Sequence, residues 1–154
     1  GSSPSGQIGL INKGDHLFKN FAVQTFKKKP IFKIYGANYN TKDKTCIRDF
    51  IHVSDIAEIH GKVLEKINKE KKSKILNCGY GQGISVREVA EEFKKYTNKN
   101  LKIINLTRRK GDLVKIIAQN KNLIKFINWK PKFNKLKIMV RSSLKWEKKC
   151  DHKH

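Results

Sequence analysis

The chain has 154 residues, which suits one domain with a usable hydrophobic core. Its 35 Lys and Arg residues against 13 Asp and Glu residues give a formal charge of +22, a balance typical of proteins that meet polyanions. Most of these cations are Lys, however, and they accompany many Asn and Ile residues, so a genome rich in A and T accounts better for the composition. Because neither an arginine cluster nor an aromatic RNA-binding motif is present, we do not expect nucleic acid as a partner.

Cysteine usage and hydropathy narrow the class further. The three cysteines, Cys46, Cys78 and Cys150, are odd in number and form no C-x-x-C pair, so neither a disulfide framework nor a zinc site is predicted. The terminal CDHKH is more typical of a frayed end than of a metal ligand set. No apolar run approaches the roughly 20 residues that cross a bilayer, and no signal peptide is evident. We expect a cytoplasmic protein without a membrane partner.

The first half of the chain predicts a helix, two extended stretches and a second helix. Apolar residues at helical spacing predict the first helix from Asp15 to about Lys28, with Asp15 as its cap. IFKIYG alternates as a strand does and ends at a glycine, and TCIRDFIHV is a second extended, β-branched stretch. Ser54 or Asp55 is predicted to cap the long second helix. The buried stripe of that helix is expected to contain Ile56, Ile59, Val63, Leu64 and Ile67.

The second half continues the alternation of strands and helices. KILNCG is interpreted as a short buried strand, and Ser85 with Glu88 forms a capping box at the start of the next helix. The remaining predicted elements are a strand at Leu101–Leu106, a strand near Val114–Ala118, a short helix around Leu123–Ile127 and a last helix from about Asn134 to Lys148. This order, without internal repeats or a long linker, predicts a mixed α/β domain.

A glycine-rich turn lies between the predicted KILNCG strand and the helix after it. Gly79, Gly81 and Gly83 resemble a dinucleotide-binding loop, in which glycines let the backbone approach a pyrophosphate. The spacing is wrong, because the fingerprint needs a third glycine where this chain has Ile84, and no acidic residue follows at the right distance. We therefore expect these glycines to pack a helix against a strand, and no cofactor-binding residue is assigned.

Two cationic turns are candidate anion-binding sites. Arg48 is flanked by apolar residues, and a partly desolvated guanidinium is suited to bidentate contact with phosphate. A structural ion pair of Arg48 with Asp49 or with another acidic neighbour explains the pattern equally well. The second turn, Arg108 to Asp112, offers three cations and one carboxylate, although it could simply be solvated. If both turns bind the same ligand, a diphosphate that bridges them is the simplest candidate.

Several stretches of the sequence resemble motifs of UDP-glucose 4-epimerases, which belong to the extended short-chain dehydrogenase/reductase group. YNTKDKTCIRDFIHVSDIAEIHGKVL is similar to the family stretch DYxTxDGTxxRDYIHVxDLAxxHxxAL. Further similarity appears, in chain order, in GSSPSGQIG, DHLFKNFAVQTF, KIYG, ILNCGYGQGISVREV, RRKGD and NWKPKF. The resemblance implies the C-terminal, substrate-binding part of a Rossmann-type NAD(P)-binding protein, spanning residues 1–154, with the N-terminal NAD-binding domain absent.

The resemblance also implies a UDP-sugar site. It assigns UDP to a helix start at His16 and Leu17 and to a strand backbone at Lys33, Ile34 and Tyr35. Arg48 and Arg109 would grip the diphosphate from two sides, and Asp112 would accept from a ribose hydroxyl. The chain departs from the family pattern at Lys19, Lys44 and Phe50, and Phe50 lacks the hydroxyl of the family tyrosine.

The family reaction interconverts UDP-glucose and UDP-galactose by oxidising the sugar at C4 with bound NAD and returning the hydride to the other face. Its Y-x-x-x-K motif is not in this sequence, so no catalytic residue is assigned and the chain alone is expected to be inactive. Expected partners are UDP-glucose or UDP-galactose and either the missing N-terminal half or a second copy of the chain. Two alternatives stay open: another UDP-sugar 4-epimerase, acting on UDP-glucuronate or a UDP-N-acetylhexosamine, and a non-catalytic basic protein that binds nucleic acid.

Overall fold

A computed structural model describes residues 1–11, 16–97 and 99–150, and these residues form five helices and five strands. The elements in chain order are α1 Leu17–Phe26, β1 Ile31–Tyr35, β2 Ile47–Arg48, α2 Val53–Glu70, β3 Ile84–Ser85, α3 Val86–Lys94, β4 Lys102–Leu106, β5 Lys115–Ile116, α4 Lys121–Ile127 and α5 Leu136–Cys150. The mixed α/β class is therefore confirmed. Within the described ranges, no helix is both long and apolar enough to cross a membrane.

The strands form two small sheets. Strand β1 pairs in parallel with β4, from Ile31 opposite Lys102 to Tyr35 opposite Leu106. Strand β2 lies at the centre of the other sheet, antiparallel to β3 and parallel to β5. Parallel partners need a crossover connection, and the helices between these strands supply it. The carboxyl ends of β1 and β4 consequently lie side by side.

The core between α1, α3, α5 and β1 is aromatic and aliphatic. Phe21 on α1 stacks on Phe32 of β1 with ring centroids 4.3 Å apart, and Phe93 of α3 contacts both rings edge to face. A second cluster lies under α2 and α4, where Tyr80 stacks on the buried Trp129 at 6.1 Å. Burying such rings is strongly favourable, and their edge-to-face and offset contacts add to it.

The helix starts agree with the sequence in one case and differ in another. Ser85 and Glu88 form the predicted capping box, with each side chain accepting from the other residue's backbone N–H. The predicted cap of α2 is wrong: His52 is the cap, and its Nδ1 accepts from the backbone N–H of Ser54 at 3.1 Å. Asp55 cannot serve, because its carboxylate is buried and bonded elsewhere. The proposed cap Asp15 lies outside the described residues, and α1 begins at Leu17.

Three further expectations are corrected by the structure. KILNCG forms no strand, and Ile75 within it is 98% exposed. The extended stretch TCIRDFIHV pairs only at Ile47–Arg48, because α2 already begins at Val53. In the α2 stripe only Ile59 is fully buried, and Leu64 is 61% exposed. The remaining elements keep their predicted type, with ends displaced by a few residues.

Candidate functional site

A cleft of about 700 Å³ opens between α1, β1, β2 and the turn after β4. This volume lies within the range of roughly 300–1,000 Å³ that small-molecule sites occupy. Seven of the sequence-predicted site residues line it: Leu17, Lys33, Tyr35, Arg48, Phe50, Arg109 and Asp112. The structure thus brings together residues from distant parts of the sequence.

Two predicted site residues lie elsewhere. The side chain of Ile34 is 1% exposed and belongs to the core, because β1 alternates and directs Lys33 and Tyr35 to the opposite face. A role for Ile34 could therefore involve only its backbone. His16 lines a smaller neighbouring cavity of about 200 Å³, which shares Leu17, Lys19 and Phe50 with the cleft.

The lining of the cleft is cationic. Lys19, Lys27, Lys33, Arg48 and Arg109 line it, and Asp112 is the one carboxylate among the lining residues. Lys19 is neutralised locally by Glu147, whose Oε1 lies 2.6 Å from its Nζ. A surplus of cations around a concave surface raises the local concentration of anions and favours their binding. The cleft therefore suits a small anionic ligand.

Arg48 forms an ion pair with Asp112 at the wall of the cleft. Its Nη2 donates to Asp112 Oδ1, and its Nη1 donates to the carbonyl of Ile47 at 2.7 Å. The side chains of Arg48 and Asp112 are 20% and 23% exposed, so solvent screens the pair only partly. Of the two interpretations of Arg48, the structure shows the ion pair with an acidic neighbour, and that neighbour is not Asp49.

Tyr39 is a further residue of the site that the sequence did not indicate. Its hydroxyl donates to Asp112 Oδ2 at 3.0 Å, and its side chain is buried. The guanidinium of Arg108 lies over the Tyr39 ring at 4.0 Å, and its Nε donates to Asn38 Oδ1 at 2.6 Å. Burial and the hydrogen bond to Asp112 raise the pKa of the Tyr39 hydroxyl. The sequence showed Tyr39 only as the first residue of the stretch that resembles the family, and its contact with Asp112 depends on the fold.

Arg109 reaches the cleft from the opposite turn. Its guanidinium lies 4.1 Å from the centroid of the Tyr35 ring, a cation–π contact at the end of β1. The turn is closed by a hydrogen bond of 3.2 Å from the Asp112 N–H to the Arg109 carbonyl. The turn predicted between β4 and β5 is therefore present, and Arg48 and Arg109 both line the cleft.

The glycine-rich turn serves packing. A Cβ on Gly79 would lie 2.4 Å from the Cβ of Ala118, and one on Gly83 would lie 2.5 Å from Cγ2 of Ile47. The carboxylate of Asp49 accepts from the backbone N–H groups of Tyr80 and Gly81 at 3.0 and 2.9 Å. These are the amides that a pyrophosphate would need in a dinucleotide-binding loop. The turn consequently does not fit NAD.

The smaller cavity contains a buried histidine with both ring nitrogens engaged. His52 Nδ1 accepts from the Ser54 N–H, so the neutral ring carries its proton on Nε2, which lies 3.2 Å from Ser142 Oγ. Burial lowers the pKa of His52, against an opposing effect of Asp55. Among the described residues, no group of three or more His, Cys, Asp and Glu side chains could hold a metal ion.

Comparison with solved structures defines the class of protein. The chain superimposes on a UDP-glucose-4-epimerase from Stenotrophomonas maltophila, described with bound NAD and formylated UDP-arabinopyranose, with a TM-score of 0.90, 29% identity and coverage of 98% of this chain and 45% of that one. It matches the Bifidobacterium longum UDP-glucose 4-epimerase, described in complex with NAD+ and UDP, with a TM-score of 0.84, 30% identity and coverage of 100% and 46%. The fold is that of a part of a Rossmann-type short-chain dehydrogenase/reductase.

The family follows from sequence comparison. The family model described as "NAD dependent epimerase/dehydratase family" matches residues 13–79. The UDP-glucose 4-epimerase of Azospirillum brasilense is 35% identical over 152 residues, which cover 98% of this chain and 44% of that relative. UDP-arabinose 4-epimerase 1 of Arabidopsis thaliana is 39% identical over 119 residues, covering 77% and 28%. The chain belongs to the NAD dependent epimerase/dehydratase family, as the motifs indicate, and it spans less than half the length of these relatives.

Proposed function

We propose that this chain is the substrate-binding portion of an NAD-dependent UDP-sugar 4-epimerase, an isomerase that interconverts UDP-glucose and UDP-galactose. The observation that carries the proposal is the presence of both Arg48 and Arg109 in the lining of one cleft. Guanidinium groups bind the oxygens of a diphosphate in bidentate fashion, which suits them to this ligand better than lysine. The relatives named UDP-glucose 4-epimerase support the same substrate class.

In this proposal each wall of the cleft has its own role. Arg48 and Arg109 bind the diphosphate, and Asp112 accepts a hydrogen bond from a ribose hydroxyl. Tyr35, at the exposed end of β1, offers a ring beside Arg109 that helps to enclose the nucleotide. Phe50 packs edge to face on Phe18 at 5.2 Å and lines both cavities, so it marks the boundary towards the sugar. The start of α1, at His16 and Leu17, would contribute from the same side.

The proposal places the chemistry outside this chain. NAD, when bound by the parent protein, supplies the hydride transfer, but the one glycine-rich turn here does not fit it, and Y-x-x-x-K is not in the sequence. What this chain contributes is a fixed grip on the nucleotide, which orients the sugar for another part of the parent or for a second copy. We expect no conversion of UDP-galactose to UDP-glucose by the chain alone, even with added NAD.

The choice of sugar is a finer part of the proposal. UDP-arabinose 4-epimerases of Arabidopsis thaliana are among the similar proteins, and one similar structure is described as a UDP-Glc/GlcNAc 4-epimerase from Campylobacter jejuni. A UDP-N-acetylhexosamine is therefore an alternative substrate, and UDP-glucuronate stays open from the family resemblance alone. The nucleotide half is common to all of them, so the roles of Arg48, Arg109 and Asp112 do not depend on the sugar.

A second candidate function, nucleic-acid binding, is favoured only by the formal charge of +22. Calorimetry with UDP and with ADP at low and high salt separates the two functions. Neutralisation of many phosphates gives a steep loss of affinity with salt and little preference among ligands. A UDP cleft should prefer UDP to ADP and keep that preference at high salt. Equal binding of both nucleotides, vanishing together as salt rises, would contradict the epimerase proposal.

A further inference from the structure

We infer that Asp112 is an internal counterion that makes the cleft discriminate against bare anions, and that Tyr39 is the residue that positions it. This inference rests on the proposed function, because the cleft is taken as the nucleotide site. It concerns the competition between Asp112 and a bound anion for the guanidinium of Arg48, which is separate from the contacts proposed for UDP.

The inference begins with the two oxygens of one carboxylate. Asp112 Oδ1 accepts from Arg48 and Oδ2 accepts from Tyr39, so each oxygen has a fixed donor. Arg48 is held from a second side, because its Nη1 donates to the Ile47 carbonyl at 2.7 Å. The guanidinium that would clamp a diphosphate is therefore already engaged by two groups of the chain itself.

Partial burial gives this pair a measurable effect. Neither Arg48 nor Asp112 is more than a quarter exposed, so their attraction is weakened less than that of a surface pair. An anion that takes the Arg48 donors must displace Asp112 or share the guanidinium with it. In either case a carboxylate is left beside a second negative charge, with one of its hydrogen bonds lost.

Ligands differ in whether they can donate a hydrogen bond to the Asp112 carboxylate once it has lost Arg48. Inorganic pyrophosphate has no ribose hydroxyl to donate to Asp112, so its binding bears the cost of freeing that carboxylate from Arg48. A nucleoside diphosphate carries ribose hydroxyls, which can donate to the freed oxygen and offset that cost. Such a repulsive element against the wrong ligand is a general way to obtain specificity. The cleft would thereby reject the phosphate and pyrophosphate that any cell contains.

Tyr39 fixes the carboxylate that takes part in this competition. A Cβ on Gly36 would lie 2.3 Å from Tyr39 Cε2, and Arg108 covers the ring at 4.0 Å, so the side chain has no room to turn. Gly36 has φ +83, a conformation that glycine adopts readily, and its lack of a Cβ allows the close approach of Tyr39. The raised pKa of Tyr39 keeps its hydroxyl protonated at neutral pH, and it remains a donor to Oδ2 whether or not Arg48 is bound to a ligand.

Substitutions of the two residues should act in opposite directions on pyrophosphate. Asp112→Asn removes the competing charge and should tighten pyrophosphate binding about tenfold, while it weakens UDP binding. Tyr39→Phe leaves the carboxylate with one donor fewer and so more dependent on Arg48, and it should weaken pyrophosphate binding about threefold. Simple damage to the cleft would weaken binding in both variants. Opposite signs are therefore the signature of a counterion.

The experiment is calorimetric titration of the full chain with inorganic pyrophosphate and with UDP. Glu91→Gln removes an equal charge from an exposed pair with Lys94, and Tyr96→Phe removes an exposed hydroxyl, so both controls should match the unsubstituted chain. Tighter pyrophosphate binding by Asp112→Asn alone supports the inference, and unchanged or weaker binding overturns it. If circular dichroism shows that this variant is unfolded, Tyr39→Phe decides, because pyrophosphate binding that is not weakened overturns the inference. A chain that fails to prefer UDP to ADP contradicts the proposed function, yet the pyrophosphate comparison still tests the counterion.

Discussion

The Tyr80 hydroxyl donates a hydrogen bond of 2.5 Å to the buried carboxylate of Asp55. The same carboxylate accepts from the backbone N–H groups of Lys132 and Phe133 at 3.2 and 3.0 Å. Asp55 thus ties the start of α2 to the glycine-rich turn and to the segment before α5. One buried side chain joins three parts of the fold that are distant in sequence.

Loss of this carboxylate should destabilise the whole chain. We expect Asp55→Ala to lower the free energy of unfolding by about 3 kcal/mol, because one buried and two partly buried donors lose their acceptor together. Tyr80→Phe removes one of them and should cost about 1–2 kcal/mol. Urea denaturation followed by circular dichroism measures both. Glu65→Ala, at an exposed site on the same helix, is the control, and an equal loss there would show that Asp55 has no special role.

The second prediction concerns the geometry of Arg48. Arg48→Lys keeps the charge but loses the planar fork that binds the diphosphate, so UDP affinity should fall about tenfold. Isothermal titration calorimetry is the measurement. Arg141→Lys makes the same exchange at an exposed position on α5 and should leave UDP binding unchanged. If the two variants behave alike, charge rather than geometry determines binding.

Much of this fold was predictable from local pattern. The α3 capping box and the strands β1 and β4 follow from residue types that lie close together in sequence, and they appear as predicted. The prediction for KILNCG failed because an apolar run shows that cover is favourable but does not show what provides it. Ile75, in this run, remains exposed.

The candidate site also contains residues that were predictable from the sequence and one that was not. Arg48, Arg109 and Asp112 were recognisable because cations and a carboxylate on turns suit an anion, and similarity to the family gave them roles. Tyr39 was missed because a tyrosine in a polar stretch has no pattern of its own. Its role depends on contacts with Asp112 and Arg108, which lie about seventy residues away in the chain. Long-range contacts of this kind cannot be derived from spacing.

The third prediction compares two glycines. Gly79→Ala places a methyl group 2.4 Å from the Cβ of Ala118 and 2.5 Å from Asp49 Oδ2, and it should cost about 2–3 kcal/mol of unfolding free energy. Gly61, within α2, has no atom within 4 Å of a Cβ, so Gly61→Ala should stabilise the chain by about 0.5–1 kcal/mol. Thermal unfolding of both variants tests the contrast. Similar changes in both would mean that the turn can open to accept the methyl group.

The fourth prediction is a loss of stability in mild acid that depends on His52. Burial lowers the pKa of His52 below its ordinary value of 6.5, so below that pH the unfolded chain binds more protons than the folded one. The free energy of unfolding should therefore fall as pH decreases from about 6.5 towards the lowered pKa. His52→Asn retains a side-chain acceptor for the Ser54 N–H and should show a flatter profile over that range. Urea denaturation at several pH values compares them, and parallel profiles would exclude His52 as the source.

The last prediction concerns the exposed segment around Ile75. Ile75 is 98% exposed and lies in residues 72–80, which form no strand in the described part of the chain. An exposed apolar side chain on a segment that is not paired in a sheet favours association with another chain. We expect the isolated chain to self-associate with increasing concentration, and Ile75→Lys to weaken that association. Because Ile75 contributes little to the core, the unfolding free energy of the variant should stay within about 0.5 kcal/mol of the original.

Sedimentation velocity over a range of protein concentrations measures this association. Leu64→Lys is the matched control, since Leu64 is also a largely exposed apolar residue but lies within the regular helix α2, where every backbone group can be satisfied internally. It should associate as the unsubstituted chain does. A chain that stays monomeric at every concentration would show that the segment around Ile75 needs no partner. If the two substitutions weaken the association equally, the added charge is the cause, since either lysine increases the repulsion between copies by the same amount.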